Sequence, residues 1–459
     1  LSDPANNARS AGRRQLMLIA ILALLLFSPG VGSGQTLQQQ IDDAGSSLTV
    51  TGGVWAEIIT IAKPSAFTLI GVNNPVICPP LDTTTNYDEA AIRVLSSNVT
   101  IRGFTISNQY GAAGLDGYQY AIWDWSWFDG PANISIEDCR IGDIQGGVYL
   151  TGPGSRVTGC DFFNLKVFGV YACGYTLQDP PAGFDLVVSN CVFRDWAESS
   201  PQGAGVLMDY GGRYGQICYN YFSGMRLGVA MFYGGPYYGN LEIFHNTFDS
   251  QYCWSAPVNM TVAFELFSGA DEPFWGDAIS IRDNLFHRTK WYAMDREGAA
   301  TSSGTLAVTG NLFYGNYWYY WPDYTFAYNW PTGEGAIYQV GWSDPADFFS
   351  FTGNLTNAEP LLRRTISDGR YVLALADNSS PAWGAAGDGQ HIGAWQGASI
   401  ASFEHIKVTA PGGGPESLKQ PEGTAWNAEV VYIDITPQCL GDSSPEIRWA
   451  RRTQRCMCL

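Results

Sequence analysis

Charged residues are scarce in this chain of 459 residues: they make up 15 % of it, and lysine and histidine are especially rare. Basic side chains are also outnumbered, because 25 Lys and Arg face 43 Asp and Glu, for a formal net charge of −18 at pH 7. A chain with this balance and no basic stripe binds nucleic acids and anionic membranes poorly. We therefore expect neither as a partner.

Long hydrophobic runs are missing apart from one near the start of the sequence. Residues 16–27 are apolar, they follow Arg13 and Arg14, and small residues come after a break at residues 28–30. The run is too short to span a bilayer comfortably and has the features of a secretory signal peptide. We predict a signal peptide over 1–34 and a secreted, periplasmic or cell-surface protein that has no membrane contact after cleavage. An uncleaved anchor is the alternative.

Helical periodicity is almost absent after Gln35, and motifs for zinc, phosphate or dinucleotide binding are missing. Glycine is abundant instead, with 53 residues, and aromatic residues make up 14 % of the chain. Frequent turns between aromatic-rich segments are typical of an all-β protein.

A six-residue pattern recurs along the chain, with apolar residues at its first and sixth positions and a diagnostic corner residue at the fourth. The corner residues are Phe104, Cys139, Cys160, Cys191, Asn220, Asn246, Asn284, Asn311 and Asn354. Variable spacing around a fixed core pattern predicts a solenoid with insertions on one side. A further strand, usually opening with Gly-Val, precedes most copies, so each turn of the solenoid has three strands.

The ends of this repeat resemble a known superfamily. Residues 49–61 and 67–72 resemble the opening coils, and residues 357–362, 380–383 and 391–395 the closing segment, of the pectate-lyase-like right-handed parallel β-helix proteins. The resemblance covers about 36–397 and implies an all-β, right-handed parallel β-helix of about ten coils over 35–397. Residues 398–459 would be a small appendage or flexible tail. Because the superfamily contains lyases, hydrolases, epimerases, adhesins and non-catalytic members, the resemblance does not imply one activity.

Three of the ten cysteines, Cys139, Cys160 and Cys191, occupy the corner position that asparagine takes later. We interpret them as buried small residues. Stacked neighbours have poor side-chain vectors for a disulfide, and their spacing does not suit a thiolate metal site.

Strand alternation predicts which residues of the third strands face outward. The aromatic members of this outer row are candidates to stack on sugar rings: Trp123, Trp125, Tyr149, Tyr171, Phe232 and Tyr338. Sugar-active members of the superfamily use this face as their groove, so the resemblance implies a polysaccharide or other glycan as partner. The alternative is that long loops cover the row.

Asp209 and Glu265 follow the same alternation two coils apart, roughly 9–10 Å along the sheet. That distance suits an inverting pair of carboxylates, one protonating the leaving oxygen and one activating water, better than a retaining pair. Arg213 follows Asp209 closely and would hold charge beside it. Two solvated carboxylates on a strand face are the alternative.

A polysaccharide lyase would need a different set of residues. Lys290, Arg213 and Arg296 are candidates for its base and for neutralising a uronate, with Arg296 and Tyr338 continuing the outer row. The known lyase signatures of the superfamily are missing, which weakens this assignment.

No cofactor is certain from the sequence. Asp271, Glu272 and Asp277 could supply oxygen ligands to Ca²⁺, although solvated loop charge explains them more simply.

Three functions are compatible with these observations: a secreted glycoside hydrolase or polysaccharide lyase, a non-catalytic extracellular glycan-binding protein, or a structural or adhesive solenoid. Aromatic side chains buried against loops would favour the last.

Overall fold

The computed structural model describes part of the chain, and every structural statement below refers to that part. The described residues are 35–79, 89–107, 119–124, 130–173, 185–194, 203–209, 212–232, 238–249, 262–267, 279–288, 292–297, 306–314, 337–339, 349–356, 358–367, 370–375, 378–394, 432–434 and 448–450. The predicted signal peptide lies outside them. The chain divides into two compact units, Leu1–Trp395 and Gln396–Leu459. Nearly all regular structure in the described residues is strand, apart from one helix, α1 (Leu37–Asp43).

Strands are numbered β1 to β38 in chain order. The first sheet comprises β1 (Ser47–Thr51), β4 (Phe67–Val72), β7 (Val99–Arg102), β10 (Ser135–Glu137), β13 (Arg156–Thr158), β16 (Val187–Ser189), β20 (Gln216–Cys218), β24 (Leu241–Phe244), β27 (Ile279–Arg282), β30 (Leu306–Thr309) and β33 (Phe349–Thr352). The second comprises β2 (Val54–Trp55), β5 (Val76–Ile77), β8 (Thr105–Ile106), β11 (Arg140–Gly142), β14 (Asp161–Phe163), β17 (Val192–Arg194), β21 (Tyr221–Ser223), β25 (Thr247–Asp249), β28 (Leu285–His287), β31 (Leu312–Tyr314) and β34 (Leu355–Thr356).

The third sheet comprises β3 (Ile59–Ile61), β6 (Glu89–Val94), β9 (Gln119–Trp123), β12 (Gly146–Leu150), β15 (Phe168–Cys173), β18 (Ala204–Asp209), β22 (Leu227–Phe232), β26 (Val262–Phe267), β29 (Tyr292–Glu297) and β32 (Ile337–Gln339). The remaining strands form pairs: β19 (Gly212–Arg213) with β23 (Tyr238–Gly239), β35 (Leu362–Ser367) with β36 (Arg370–Leu375), and β37 (Tyr432–Asp434) with β38 (Arg448–Ala450).

The chain visits the three sheets in turn, and each strand pairs in parallel with its counterpart one coil away. The structure is therefore a parallel β-helix with three strands per coil, right-handed as parallel crossovers nearly always are. The predicted fold and coil number are confirmed. The repeat begins two coils before the copy with its corner at Phe104, because β1 to β3 form a coil that pairs with β4 to β6, and that coil pairs in turn with β7 to β9.

The corner residues form a continuous ladder between the first and second sheets. Asn220 donates from Nδ2 to Oδ1 of Asn246 at 3.0 Å, and each later asparagine repeats this bond to the next. The Oδ1 of each asparagine also accepts a hydrogen bond from the backbone N–H of the corner residue in the preceding coil. Cys191 N, for example, donates to Asn220 Oδ1 at 2.9 Å. Below the asparagines the cysteine thiols donate to backbone carbonyls, for example Cys191 Sγ to Val157 O at 3.6 Å. The described cysteines are free thiols.

Aromatic rings stack along the inner side of the second sheet at the spacing of the coils. The stack contains Phe162, Phe193, Phe222, Phe248, Phe286 and Phe313, with centroids 4.7–5.0 Å apart and interplanar angles of 2–6°. Branched residues from the first and third sheets fill the rest of the core, all nearly inaccessible to solvent. Stacked coils place identical side chains one above another, so rings with parallel faces fit at the strand spacing.

Candidate functional site

The outer face of the third sheet carries one row of residues in register from strand to strand. Its members are Trp123, Tyr149, Tyr171, Leu207, Ala230, Glu265, Asp295 and Tyr338. A second row lies two residues further along each strand, where Cys173 pairs with Asp209 and Asp209 with Phe232. In the same position two coils later, Phe267 pairs with Glu297. Acidic and aromatic residues therefore share neighbouring positions on β18, β22, β26, β29 and β32.

Arg296 does not continue the outer row, contrary to the prediction. It pairs with Leu266 and Gln339, and Leu266 pairs with Met231. Met231 and Met208, which precede them in this row, are fully buried in the core. Arg296 therefore occupies the same register row as these core residues, which we call the core row. Asp295, Arg296 and Glu297 are charged at three successive positions of β29, so the sequence pattern alone placed Arg296 one residue out of register.

The aromatic residues at the start of the outer row are packed rather than open. Trp123 is 2 % exposed and Tyr149 4 % exposed. Both contact Tyr120 and each other at centroid distances of 5.4–5.5 Å, and Tyr149 also contacts Phe168 at 6.4 Å. The prediction that these two rings form an exposed platform is wrong. We call the set Ala90, Tyr120, Trp123, Tyr149, Phe168 and Cys173 the outer aromatic cluster.

The outer aromatic cluster also determines the protonation state of Tyr149. Burial, together with the neighbouring Cys173 and Tyr120, raises the pKa of Tyr149 far above its ordinary value. Its phenol is therefore a neutral packing group. Tyr171 stacks on it with centroids 4.5 Å apart and stays half-buried, so it keeps partial access to solvent.

Asp209 and Glu265 lie further apart than the sequence predicted. Leu207, not Asp209, is in register with Ala230 and Glu265, so the two acids are separated by two coils and by two residues along the strand. The coil spacing and the rise per residue together place their Cα atoms roughly 12 Å apart. The prediction of 9–10 Å counted the coil spacing alone.

Asp295 was not identified from the sequence, although its carboxylate position is closer to Glu265 than that of Asp209. Asp295 pairs directly with Glu265 on the next coil, so their Cα atoms are roughly 4.8 Å apart. One sequence signal could have identified this pair of acids. In both strands an apolar residue of the core row is followed by an acid, as Phe264-Glu265 and as Met294-Asp295. The segment between these strands differs in length from the other insertions, so the sequence alone does not align the two acids.

The other predicted residues fall partly outside the described chain. Trp125, Lys290 and the predicted calcium ligands Asp271, Glu272 and Asp277 all lie outside the described residues. Arg213 is in β19, where it pairs with Gly239 of β23. Phe232 and Tyr338 occupy outer-row register positions. Within the described residues no cluster of three or more His, Cys, Asp or Glu could hold a metal ion.

Buried charges on the outer face of the second sheet are fully partnered and structural. Asp161 accepts two bonds of 3.1 Å from Arg194 and lies 3.5 Å from Arg140, and both guanidinium groups cover the Phe163 ring. Further along the sheet, Asp249 binds His287 Nδ1 at 2.9 Å. Such satisfied pairs bind adjacent strands together.

No helix in the described part of the chain has both the length and the apolar character needed to cross a membrane.

Comparison with known proteins agrees with the architecture. The family model of the right-handed beta helix region matches residues 82–272. No curated protein sequence matches the chain.

Several solved structures match the chain at low identity. One is a GH136 lacto-N-biosidase from Eubacterium ramulus, at 11 % identity and a TM-score of 0.39, covering 68 % of this chain and 62 % of that one. A GH87 alpha-1,3-glucanase in complex with nigerose has 12 % identity and a TM-score of 0.38, covering 71 % of this chain and 69 % of its own. The tailspike protein of E. coli bacteriophage HK620, in complex with a pentasaccharide, has 14 % identity and a TM-score of 0.39, covering 72 % and 62 %.

This chain thus spans less than two thirds of the lacto-N-biosidase and of the tailspike. Likeness at this level does not transfer an activity. The parallel sheets, the corner ladder and the family match together show that the chain is a right-handed parallel β-helix protein that resembles the pectate-lyase-like superfamily in fold.

Proposed function

We propose that this protein is an exported glycoside hydrolase that acts on a polysaccharide along the outer face of its third sheet. The observation that carries the proposal is the register of Glu265 with Asp295 on adjacent coils, with Asp209 and Glu297 in the neighbouring row. Two aromatic residues, Phe232 of β22 and Tyr338 of β32, occupy outer positions in the strands next to those that carry these acids. Carboxylates beside aromatic rings are the groups that glycosidic cleavage requires.

The adjacent pair changes the expected mechanism. Glycosidases that form a covalent intermediate use carboxyl groups about 5–5.5 Å apart, whereas inverting enzymes need about 6.5–9.5 Å for a water molecule. Glu265 and Asp295, one coil apart, fit the shorter class, while Asp209 is two coils from Glu265. Repulsion between neighbouring carboxylates favours a retained proton on one of them. That group would protonate the glycosidic oxygen while the other attacks the sugar.

The test is a glycan turnover screen on the purified protein, followed as new reducing ends and as absorbance of unsaturated uronates, with and without Ca²⁺. We expect reducing ends without the absorbance. Glu265→Gln and Asp295→Asn should each lower kcat at least a hundredfold, since each removes an essential acid or nucleophile. Glu359→Gln, at an exposed position outside the three sheets, is the matched control and should keep full activity.

Other outcomes would redirect the assignment. If Asp209→Asn abolishes turnover while Asp295→Asn does not, the pair is Asp209 with Glu265 and the reaction inverts the anomeric centre. Unsaturated products would indicate a lyase and move the test to Arg213, Lys290 and Arg296. No turnover on a broad screen of folded protein would sink the hydrolase proposal.

A structural or adhesive solenoid is the second candidate. The burial of Trp123 and Tyr149 in the outer aromatic cluster favours it, because rings packed against the protein cannot stack on sugars. Binding of glycan without turnover, lost on Tyr171→Ala, would instead support a non-catalytic binding protein.

Export is part of the proposal and has its own test. It rests on the apolar run of residues 16–27 behind two arginines. The mature protein recovered outside the cytoplasm should begin near residue 35. Recovery of an intact chain from the cytoplasm alone would contradict export.

A further inference from the structure

The turn between the third and first sheets repeats its backbone from coil to coil. In six successive coils the first-sheet strands share one register position, which runs from Thr100 to Glu242. Two residues before that position stand Asn98, Asn133, Gly154, Asp185, Tyr214 and Asn240, which we call the turn column. Five of the six have φ between 50° and 72°. Glycine, asparagine and aspartate adopt such left-handed backbone readily, whereas a bulky residue there is an outlier.

The polar side chains of the turn column bind neighbouring coils together. Asn133 donates from Nδ2 to Oδ1 of Asn98 at 3.0 Å, and Oδ1 of Asp185 accepts the backbone N–H of Gly154. An amide or a carboxylate at this place therefore serves both the local backbone and the contact between coils.

Tyr214 differs from the rest of the turn column in both respects. Its φ is 61°, although it is an aromatic residue. Its side chain is 55 % exposed, the highest value for a large hydrophobic residue in the described part of the chain. The described residues give this side chain neither a hydrogen bond nor an aromatic contact. Residues kept in disfavoured backbone without such support cluster at functional sites.

Two other ring-bearing residues with positive φ have partners that explain them. Tyr219 and His245 occupy successive corners and stack with centroids 5.0 Å apart. Residues 380–394, which we call the closing segment, approach the Tyr219 hydroxyl to 3.3 Å and His245 Nε2 to 2.9 Å. Contacts within the folded chain therefore account for these two rings, and comparable contacts do not account for the ring of Tyr214.

Tyr214 lies at the rim of the face that carries the proposed catalytic acids. β18 ends at Asp209, β19 follows, and Tyr214 comes directly after β19. β19 pairs in parallel with β23 of the next coil, so this rim has a short sheet of its own. Tyr214 comes five residues after Asp209, and a chain of that length spans at most about 17 Å.

Tyr214 is nevertheless separate from the pair of adjacent acids. Its coil comes two coils before that of Glu265 and three before that of Asp295. The coil spacing therefore separates Tyr214 from these acids by roughly 10–14 Å along the solenoid axis. A polysaccharide lying along this axis would bring a more distant sugar ring to Tyr214, not the sugar at the cleaved bond.

We propose that Tyr214 is a sugar-stacking residue, which binds a polysaccharide at a subsite remote from the cleaved bond. This inference rests on the proposed function for the direction of the bound chain. A sugar ring has an apolar face of C–H groups, and that face packs on an exposed aromatic ring. The bound sugar would supply the partner that the ring of Tyr214 lacks in the described part of the protein.

Tyr214→Asn separates a binding role from a structural one. Asparagine suits the backbone and is the residue of the turn column in the next coil, so the variant should unfold at the wild-type temperature or above it. Loss of one stacked ring should weaken glycan binding by about three- to tenfold. Tyr214→Phe keeps the ring and should bind as the wild type does.

Isothermal titration calorimetry of the full chain measures binding, with cellohexaose, xylohexaose, laminarihexaose and hexagalacturonate as probes. For any probe that is hydrolysed, steady-state kinetics replace the titration. Tyr214→Asn should then raise KM about three- to tenfold and leave kcat unchanged, because the subsite is remote from the reacting atoms. Leu361→Asn is the matched control, since it also replaces an exposed large residue at positive φ, 47°, and it should leave every affinity and KM unchanged.

The outcomes separate this inference from the hydrolase proposal. Binding without turnover that weakens in Tyr214→Asn would contradict the hydrolase and keep the stacking subsite. Turnover with an unchanged KM in Tyr214→Asn would keep the hydrolase and overturn the subsite. The subsite is also overturned if no probe binds, or if Tyr214→Asn unfolds below the wild-type temperature, which would show that the ring packs on the protein. Conversion of a dimer into a monomer by Tyr214→Asn, with binding unchanged, would assign the ring to a contact between two copies and overturn it as well.

Discussion

At the scale of single residues, the turn before each corner position requires an unusual backbone. The nine residues that precede the corners, from Gly103 to Gly353, all have φ between 51° and 78°. Gly, Asn and Asp occupy seven of these positions, as expected for left-handed backbone, but Tyr219 and His245 occupy the other two. Their rings stack, and the closing segment binds both, so tertiary contacts hold a conformation that local preference disfavours.

The hydrogen bonds of the corner ladder predict a large loss of stability when one asparagine is removed. Asn246→Ala removes the Oδ1 that accepts two bonds from Asn220 and the amide that donates to Ile217 O and Asn284 Oδ1. Leaving buried polar groups without partners costs about 1–3 kcal/mol each, so we expect a loss of about 3 kcal/mol in the free energy of unfolding. Urea denaturation measures it.

Thr352→Ala, at an exposed position of the first sheet, is the control for the ladder and should change stability by less than about 0.5 kcal/mol. Equal losses in the two variants would contradict the importance of the asparagine bonds.

At the scale of strands, the bend before each third-sheet strand leaves no room for a side chain. A Cβ added to Gly205 would lie 2.6 Å from Cδ1 of Phe222 and 2.7 Å from the carbonyl oxygen of Gly228. The Gly-Val signal in the sequence therefore reflects close packing between the third sheet and the phenylalanine stack. Neighbouring coils have Gly147, Gly169 and Gly228 in the same place.

Gly205→Ala should accordingly destabilise the protein by about 1–3 kcal/mol, the usual cost of overpacking a core. Thermal unfolding followed by circular dichroism provides the measurement. Gly45→Ala is the matched control, because a Cβ there would meet no atom within 4 Å. If Gly205→Ala melts at the wild-type temperature, the bend has more space than its contacts indicate.

At the scale of the whole molecule, a solenoid exposes its core at each end unless something covers it. Helix α1 covers the first coil with Leu37 and Ile41, both buried. Glu57 binds the helix to that coil by accepting the backbone N–H groups of Leu37 and Gln38 at 2.7 and 3.2 Å. The capping box of Thr36 and Gln39 completes the helix N-terminus.

Leu37→Asp should open this end of the β-helix and promote association between chains through exposed strand edges. We expect oligomers or aggregates in size-exclusion chromatography, together with a lower unfolding temperature. Gln40→Asp places the same charge on a half-buried position of α1 and should remain as the wild type. A monomeric, stable Leu37→Asp variant would show that the cap is dispensable.

The sequence alone determined the repeat and the coil of three strands. It also identified the corner position, which cysteine occupies in the earlier coils and asparagine in the later ones. These features are visible because stacking requires the same kind of residue at the same place in every coil. Only the tertiary structure decided the burial of Trp123 and Tyr149, the pairing of Glu265 with Asp295, and the docking of the closing segment on His245. These features join residues separated by insertions of variable length. Alternation along one strand identifies the outward positions, but it carries no information about which distant segment covers them.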